Sequence, residues 1–397
     1  MEKVFVTGFG IISAIGNDME SNLDQLKRAK SGIGRARHFN SKYTANLNFG
    51  EVKMSNTELK ELVSAQNESG LSRTTLLAYT AIQEAIDNAG LSEEDLKSTK
   101  TGFISSSTVG GMSNTEELYA DANLKGKPSE FVESYGGSEH TLRIIKKYGI
   151  RGFTSTINTA CSSSANAIML GSRLIKAGRC QRVIVGGADS LAKYTVNGFN
   201  ALMILSDNPC KPFDINRDGL TLGEGAGYLV LEGESACNGK DKLAEVLGYG
   251  NANDAHHPSA TSDEAFGPLL AMQRALESSG ISPISIDYIN AHGTGTTNND
   301  TTEMFAFNET FNPIPPFNST KSYTGHTLAA SGVIESIYSI LSLLNSEIYP
   351  SLNCVDPILD YNNGPINKLE KIEGMNTVMS NSFGFGGNCT SLIFSKA

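Results

Sequence analysis

The stretch Ala81-Ile-Gln-Glu-Ala-Ile-Asp-Asn-Ala-Gly-Leu-Ser92 returns in related form as Ala271-Met-Gln-Arg-Ala-Leu-Glu-Ser-Ser-Gly-Ile-Ser282. In both copies the apolar residues recur at the spacing of an amphipathic helix, and a glycine, Gly90 or Gly280, stands where such a helix ends. Each helix pattern is followed by a predicted strand, at 102–107 or 288–291. The chain therefore contains the same helix and strand unit twice.

A second repeated pair consists of a glycine-rich turn that leads into an apolar strand. Its two copies are Gly223-Glu-Gly-Ala-Gly-Tyr-Leu-Val-Leu231 and Gly384-Phe-Gly-Gly-Asn-Cys-Thr-Ser-Leu-Ile-Phe394. Strand patterns such as 183–185 and 229–231 have no polar face, which indicates buried sheets covered by helices. We expect an α/β fold of two similar halves, residues 1–240 and 241–397, because charged and small residues follow a strand near 234–243.

Composition excludes several classes of function. The 397 residues carry a formal net charge of −10, which argues against a nucleic-acid-binding surface. No stretch reaches the roughly 18 consecutive apolar residues of a membrane span. The six cysteines have neither metal-ligand nor disulfide spacing, so no metal site is indicated. We expect a cytoplasmic protein that does not insert into membranes.

One of the six cysteines lies where a strand pattern gives way to a helix pattern. Cys161 occurs in Ile157-Asn-Thr-Ala-Cys-Ser-Ser-Ser-Ala-Asn-Ala-Ile168, in which small residues separate a β-branched stretch from a helical repeat. A thiol at a helix N-terminus is expected to have a lowered pKa, which makes it a nucleophile. Cys161 is therefore the first candidate for a catalytic group.

Two histidines and a lysine lie in predicted loops of the second half. His292 follows an apolar strand pattern in Asn290-Ala-His-Gly-Thr-Gly-Thr296, and Lys321 precedes His326 in a loop that leads into another helix pattern. Side chains at the ends of secondary-structure elements commonly build binding and catalytic sites. The pair His256 and His257 also falls in a loop, and a site role for either is left open.

Seven motifs, taken together, resemble the β-ketoacyl-acyl carrier protein synthases, condensing enzymes of the thiolase superfamily, and above all their elongating branch. The resemblance covers essentially the whole chain, and the motifs occur in the order of the family. They are Val4-Phe-Val-Thr-Gly-Phe-Gly-Ile-Ile-Ser13, Thr159-Ala-Cys-Ser-Ser163, Pro212-Phe-Asp-Ile-Asn-Arg-Asp-Gly219, Gly223-Glu-Gly-Ala-Gly227, Ala291-His-Gly-Thr-Gly-Thr296, Lys321-Ser-Tyr-Thr-Gly-His326 and Asn381-Ser-Phe-Gly-Phe-Gly-Gly387.

The resemblance implies a fold and a reaction. The fold is the thiolase fold, in which two βαβαβαββ halves form five αβαβα layers. The reaction is the decarboxylative Claisen condensation of an acyl group with malonyl-acyl carrier protein, which gives a 3-oxoacyl-acyl carrier protein in fatty-acid elongation. No cofactor is implied, because the substrates arrive on the phosphopantetheine arm of acyl carrier protein.

The resemblance also assigns roles to individual residues. Cys161 would hold the acyl group as a thioester, since a thiolate is strongly nucleophilic and its thioester stays activated. His292 and His326 would stabilise the negative charge that develops on the malonyl thioester oxygen, each by about 3–4 kcal/mol. Lys321 would hold the second histidine in place, with Glu335 as its charge partner. Loss of Lys321 is expected to slow decarboxylation more than acyl loading.

The remaining implied roles concern the oxyanion, the acyl pocket and the partners. The backbone N–H groups of Cys161 and Phe385 would bind the acyl oxyanion, and Phe385 would also gate the acyl pocket, whose wall includes Val109. In the family that pocket is shared across a two-fold dimer interface. The partners implied are acyl carrier protein and a second subunit, in a homodimer or in a heterodimer with a homologous chain-length partner.

Several alternatives stay open at this point. The chain departs from the common family text at five positions, which makes a specialised type II polyketide or aryl-polyene pathway a competitor: Asn158, Ala329, Ser331, Asn388 and Cys389. A non-catalytic chain-length partner typically lacks the nucleophile, and a biosynthetic thiolase would need a second cysteine, for which only Cys389 is a candidate. An initiating synthase usually pairs its cysteine with one histidine and one asparagine.

Overall fold

The computed structural model describes residues 2–114, 118, 123, 124, 126, 127, 129–237, 239–358 and 364–397. The helices in these residues are α1 Met19–Lys27, α2 Asn56–Leu62, α3 Arg73–Asn88, α4 Glu93–Lys97, α5 Glu139–Tyr148, α6 Ser163–Lys176, α7 Lys193–Ala201, α8 Phe266–Ser279, α9 Thr297–Thr310, α10 Lys321–Thr324 and α11 Ser331–Asn345. The strands are β1 Val4–Ile12, β2 Thr101–Ser106, β3 Thr154–Ile157, β4 Arg182–Asp189, β5 Gly225–Gly233, β6 Ala244–Asn253, β7 Tyr288–Asn290, β8 Phe317–Asn318, β9 Glu347–Ile348, β10 Glu370–Lys371, β11 Thr377–Phe383 and β12 Asn388–Ser395.

Ten of these strands form a single hydrogen-bonded sheet with an internal symmetry. Its order is β3-β2-β4-β5-β1-β6-β12-β11-β7-β8. Read outward from the centre, β1-β5-β4-β2-β3 and β6-β12-β11-β7-β8 have the same connectivity. The two halves meet where β1 and β6 pair antiparallel, through Phe5 with Glu245 and Val6 with Ala244. The predicted pair of similar α/β halves is confirmed.

Helices cover both faces of each half of the sheet. Helix α3 packs on β1 and β5, and α8 packs on β6 and β12, so these two helices form outer layers. Helices α6 and α11 pack against each other and against β4 and β11 respectively, so they lie between the halves. The two halves of the sheet are the two β layers, and the helices outside and between them are the three α layers. This is the five-layered αβαβα arrangement that the family resemblance implies.

The repeated sequence unit corresponds to α3 and α8, and each packs on a strand that has two glycines facing it. A β-carbon at Gly10 of β1 would lie 2.1 Å from the Ala81 carbonyl oxygen, and one at Gly250 of β6 would lie 2.1 Å from the Ala271 carbonyl oxygen. Gly90 and Gly280 follow these helices in the left-handed conformation, as predicted for helix ends. The repetition therefore comes from a close helix and strand contact that both halves need.

Helix α11 is apolar enough by length and composition to cross a membrane, over the window 328–345. However, 89% of that window is buried inside the protein. Its side chains belong to the largest hydrophobic cluster, which also includes residues of α6. In the part of the chain that the structure describes, this is a core helix, and its length reflects its central position between the two halves.

We expect that Gly10→Ala destabilises the protein, because an added methyl group would collide with the backbone of α3. Overpacking of this kind costs about 1–3 kcal/mol, and a backbone atom can yield little. Gly34→Ala is the matched control, because a β-carbon there has no atom within 4 Å. Thermal and urea unfolding measure both variants, and equal midpoints for the two would contradict the close contact.

Candidate active site

Cys161 lies in the turn between β3 and α6, next to the helix N-terminus that the sequence predicts. The preceding residue, Ala160, has the left-handed value φ 53°. The Cys161 side chain is buried, and its Sγ lies 3.0 Å from the Nε2 atom of His326. The nucleophile candidate of the first half therefore contacts a histidine of the second half.

The expected lowering of the Cys161 pKa is wrong. Burial raises the pKa of this thiol to about 11, although the backbone N–H groups of Phe385 and Cys161 and the charge of Lys321 act to lower it. In an apolar interior the loss of hydration disfavours the thiolate more than a helix N-terminus stabilises it. The resting thiol is therefore neutral at pH 7, and the sequence could not indicate how deeply it is buried.

His292 follows β7, and its ring is held by a buried ion pair. The Lys321 Nζ atom lies 3.2 Å from the His292 Nδ1 atom, donates to the His292 carbonyl oxygen at 2.5 Å, and pairs with the Glu335 carboxylate. Because an ammonium group can only donate, the His292 Nδ1 atom accepts and its proton is on Nε2. Lys321 thus contacts the first histidine of the sequence, whereas the expectation was that it holds the second.

The second histidine ring has the same tautomer for a different reason. The backbone N–H of Leu328 donates to the His326 Nδ1 atom at 3.3 Å, and the Ser331 Oγ atom lies 2.9 Å from it. The Nδ1 atom therefore accepts, which leaves the proton on Nε2. The two imidazole centroids are 5.5 Å apart at an interplanar angle of 83°. The site thus offers two Nε2–H donors beside Cys161.

Both imidazoles are neutral at physiological pH. Burial and then the Lys321 charge hold the pKa of His292 and that of His326 well below their usual range. Burial also raises the pKa of Glu335 to about 7, while Lys321 acts to lower it. The arrangement therefore keeps two uncharged hydrogen-bond donors next to one fixed cation in a water-poor site.

The ligand atoms of Cys161, His292 and His326 all lie within 4.8 Å of one another, a grouping that could hold a metal ion. The sequence spacing indicated no metal site, although the family resemblance implies that these three residues share one reaction centre. A metal would need both Nε2 atoms unprotonated, so a neutral His292 would carry its proton on Nδ1. That N–H would then face the Lys321 ammonium, and both groups would be donors. The hydrogen bonds around the two rings therefore oppose cation binding.

Phe385 follows β11 in the glycine-rich turn and faces Cys161. Its backbone N–H interacts with the Cys161 sulfur, and a β-carbon at Gly384 would lie 2.7 Å from the Thr159 carbonyl oxygen. The Phe385 ring stacks on Phe199 with centroids 5.6 Å apart. The backbone N–H groups of Cys161 and Phe385 thus both interact with the Cys161 sulfur.

These groups line a cavity of about 250 Å³. Its wall includes the reactive groups Cys161, His292 and His326, the aromatic rings of Phe383 and Phe385, and a polar section at 294 and 296–299. A site with a few convergent polar groups in a concave surface is the usual form of a small-molecule site. The two halves of the chain both contribute to it.

Val109 is buried but is absent from the described lining of this cavity. It packs in a hydrophobic cluster with Leu191 and Leu328, against which Phe199 and Ile204 of the cavity wall also pack. Val109 therefore lies one layer behind the surface that a substrate would contact. His256 and His257 are exposed and also absent from the described lining.

Three buried acids support the site and were missed by sequence reasoning. Glu303 accepts the backbone N–H groups of His292 and Gly293, both at 2.8 Å, and burial raises the pKa of Glu303 to about 7. Asp300 accepts from the Gly295 N–H in the same loop. Asp189 accepts from the N–H groups of Val109 and Ala329 and so ties the Val109 loop to the loop of His326.

A signal for the first two acids was available in the sequence. Asp300 and Glu303 are three residues apart on α9, which directly follows the histidine loop, so both face the same side of the helix. A glycine-rich loop leaves backbone donors that need acceptors. Asp189 offers no such signal, since its partners lie more than 75 residues away in the chain.

Comparisons with known proteins agree with this geometry. Residues 1–236 match the family model for the N-terminal domain of β-ketoacyl synthases, and residues 243–355 match that for the C-terminal domain. A 3-oxoacyl-[acyl-carrier-protein] synthase 2 of Staphylococcus aureus (strain N315) is 33% identical over 412 aligned positions, covering 100% of this chain and 98% of that protein.

Solved structures with the same fold include two ketosynthase assemblies. The ishigamide ketosynthase/chain length factor has a TM-score of 0.93 and 28% identity, and the match covers 100% of this chain and 99% of that one. A type II polyketide synthase acyl-carrier protein in complex with its ketosynthase has a TM-score of 0.86 and 25% identity, with full coverage of both chains.

We expect alkylation of Cys161 by iodoacetamide to be slow at pH 7 and to accelerate about tenfold per pH unit up to pH 10, because only the thiolate reacts and its pKa is raised to about 11. Peptide mass spectrometry measures the fraction of Cys161 that is modified with time between pH 7 and 9.5, a range that avoids strongly alkaline unfolding. Cys161→Ser gives the background from other cysteines, and a rate that is already constant below pH 8 would contradict the raised pKa.

Proposed function

The chain belongs to the β-ketoacyl synthase family, and from that premise we propose how its residues carry out decarboxylative Claisen condensation. An acyl group is first transferred to Cys161. The enolate formed from malonyl-acyl carrier protein then attacks that thioester, which gives a 3-oxoacyl-acyl carrier protein. The observation that carries the proposal is the meeting of Cys161, His292 and His326, from two different halves, in one cavity.

In the first step the Cys161 thiol gives up its proton, and the resulting thiolate attacks the carbonyl carbon of an acyl thioester on the carrier protein. The new C–S bond forms as the bond to the phosphopantetheine sulfur breaks, and the leaving thiolate takes up the proton that Cys161 released. Negative charge on the carbonyl oxygen is accepted by the backbone N–H groups of Cys161 and Phe385, which point at the sulfur position. Preorganised donors of this kind contribute about 3–4 kcal/mol each.

In the second step the malonyl carboxylate leaves as carbon dioxide, and its electron pair moves to the thioester oxygen. The Nε2–H groups of His292 and His326 stabilise this enolate, because the partners of both Nδ1 atoms leave the protons on Nε2. Lys321 supplies a fixed positive charge behind His292 and pairs with Glu335. The enolate carbon then attacks the Cys161 thioester and releases the sulfur.

The presence of all three reactive groups favours a catalyst over a silent chain-length partner. Such a partner would have no need of a buried Lys321–Glu335 pair, which is costly to desolvate. We propose fatty-acid elongation as the pathway, on the similarity to the Staphylococcus aureus synthase. A specialised type II polyketide or aryl-polyene pathway is the second candidate, favoured by the similarity to the ketosynthase that is in complex with a type II polyketide synthase acyl-carrier protein.

The partners follow from the same premise. Acyl carrier protein delivers both substrates on its phosphopantetheine arm, and one structural relative is a ketosynthase in complex with an acyl-carrier protein. We place the reaction in the cytoplasm and propose that it needs no further cofactor. We also propose that the two halves of the chain are residues 1–240 and 241–397, with the boundary between β5 and β6. Phe385 would gate the acyl pocket, with its ring stacked on Phe199. Val109 would shape that pocket indirectly, through Phe199 and Ile204 of the cavity wall, which pack against its cluster.

We further propose that two copies of the chain pair along β3. This strand forms one end of the described sheet and is only partly buried. Exposed apolar side chains lie beside it, with Phe153 39% and Leu142 62% exposed, and the neighbouring Thr141 bonds to Thr156 of the strand. An unpaired strand edge with apolar neighbours favours a second copy. A homologous chain-length partner would occupy the same edge.

The reaction is tested by intact-mass analysis after incubation with a panel of acyl carrier proteins, followed by malonyl carrier protein. We expect wild type to gain one acyl group and to lose it on condensation, and we expect Cys161→Ala to gain none. Acceptance of saturated donors of increasing length supports fatty-acid elongation. Acceptance of only short unsaturated or aryl-primed donors supports the specialised pathway. An acyl group on Cys161→Ala would remove the proposed nucleophile.

Variants of the second half separate the two steps. His292→Ala and His326→Ala should still accept the acyl group, whereas release of carbon dioxide from malonyl carrier protein should fall about 10²–10³-fold, the usual effect of losing one such donor. Lys321→Met should slow decarboxylation more than acyl loading. If these variants slowed acyl loading by the same factor as decarboxylation, the division of roles between the halves would be wrong.

The dimer is tested by sedimentation equilibrium. We expect wild type to have about twice the chain mass of 42.3 kDa, and Leu142→Glu to shift it toward monomer, because a charge would be buried at the interface. Ile284→Glu is the matched control, since Ile284 is 69% exposed and lies in the second half, far along the chain from β3. A monomeric wild type would contradict the homodimer and would leave the homologous partner as the occupant.

A further inference from the structure

Three asparagines connect the nucleophile turn to the turn that carries the Phe385 amide. The Asn388 Oδ1 atom accepts from Ser162 Oγ at 2.8 Å, from Asn166 Nδ2 at 2.8 Å and from Asn251 Nδ2 at 2.9 Å. Ser162 directly follows Cys161, and Asn166 lies one turn further along α6. A single oxygen therefore receives donors from both halves of the chain.

The same residue closes the glycine-rich turn on its own strand. The backbone N–H of Gly384 donates to the Asn388 carbonyl oxygen at 2.8 Å, so the turn that contains Phe385 is a closed loop with Asn388 at its base. The Asn388 side chain points from that base to the residue after Cys161. The two segments that carry the N–H groups facing the sulfur are thus both bonded to one residue, Asn388, the first through its side chain and the second through its backbone carbonyl.

A second set of bonds makes the arrangement rigid. Asn166 Nδ2 also lies 2.9 Å from Thr159 Oγ1, Thr390 Oγ1 donates to Asn166 Oδ1 at 2.8 Å, and Asn251 Nδ2 lies 2.9 Å from Thr390 Oγ1. Networks of amides and hydroxyls in which most groups have partners specify one geometry, and deletions in them have more than pairwise effects. The network is polar but contains no charged side chain, so it brings no net charge to the surroundings of the thiol.

We propose that Asn388 is a positioning residue for acyl transfer: its side-chain oxygen fixes the distance between the Phe385 amide and the Cys161 sulfur. This inference rests on the proposed function, in which those two backbone N–H groups bind the acyl oxyanion. It concerns only the first step, because His292, His326 and Lys321 make no bond to the network among the described residues. The glycines around Phe385 leave its turn dependent on an outside anchor.

The test compares two partial reactions in Asn388→Ala. We expect acyl transfer to Cys161, followed by quenched-flow intact mass, to slow about 10- to 100-fold, less than outright loss of an oxyanion donor. Carbon dioxide release from malonyl carrier protein without an acyl donor should change less than about threefold. The rate of Cys161 alkylation at pH 9 should fall below that of wild type, since the Phe385 N–H is among the groups that favour the thiolate.

Two further variants separate positioning from general stability. Asn388→Asp keeps an oxygen acceptor for the same three donors, so its acyl transfer should be faster than that of Asn388→Ala. Asn22→Ala removes a buried amide that accepts from Ser13 and Tyr338, in α1 and away from the cavity lining. It should lower the melting temperature and leave the ratio of the two partial reactions unchanged.

The inference is overturned if Asn388→Ala slows both partial reactions by the same factor, or changes neither. It is also overturned if Asn22→Ala changes their ratio as much as Asn388→Ala does. A wild-type protein that neither accepts an acyl group nor releases carbon dioxide would instead defeat the proposed function. The two failures are therefore distinguishable.

Discussion

The buried pair of Lys321 and Glu335 is the interaction on which the chemistry of the site depends. Placing an ammonium group in a dry interior is costly, and removal of one partner of such a pair typically costs about 3–5 kcal/mol. In return the ammonium group donates to the His292 ring nitrogen, fixes its tautomer and, with burial, keeps both imidazoles neutral. Charged imidazoles would be better acids but would bind anions of every kind, whereas neutral donors respond to the charge that develops on a thioester oxygen.

Burial has the opposite consequence for the nucleophile. The water-poor site that strengthens the two Nε2–H donors also raises the pKa of Cys161, so the thiol rests in its neutral form. The sulfur has to be ionised only once in each cycle, whereas the enolate needs low-dielectric stabilisation in the step that breaks a carbon–carbon bond. The closeness of the His326 Nε2–H, 3.0 Å from the sulfur, gives the thiolate a donor at the moment it forms.

The sequence was sufficient to predict the architecture and to name the candidate reactive groups that the structure brings together, for a physical reason in each case. Close packing of α3 on β1 and of α8 on β6 requires small residues at the same positions in both halves, so the repeat can be recognised in the amino-acid sequence. Cys161, His292 and His326 stand at element ends in short, recognisable motifs. By contrast, the hydrogen-bond donors to buried acids such as Asp189 come from distant segments of the chain. The depth of burial that shifts the pKa of a group depends on the packing of all five layers. Neither the partners of a buried acid nor the depth of its burial corresponds to a fixed spacing of residues in the sequence.

The division of labour between the halves explains why so much hydrogen bonding lies at their boundary. The first half carries Cys161 in the turn before α6, together with one proposed oxyanion donor, the Cys161 N–H. The other proposed donors, which are the Phe385 N–H and the two imidazoles, come from loops of the second half. A shift of α6 against α11 would therefore misplace the sulfur relative to these second-half donors, and a displacement of 1 Å can cost a large factor in rate. The oxygen of Asn388 and the carboxylate of Asp189 both bridge the halves at this boundary. A fold made by repetition thus needs non-repeated polar contacts to fix one relative position of its two parts.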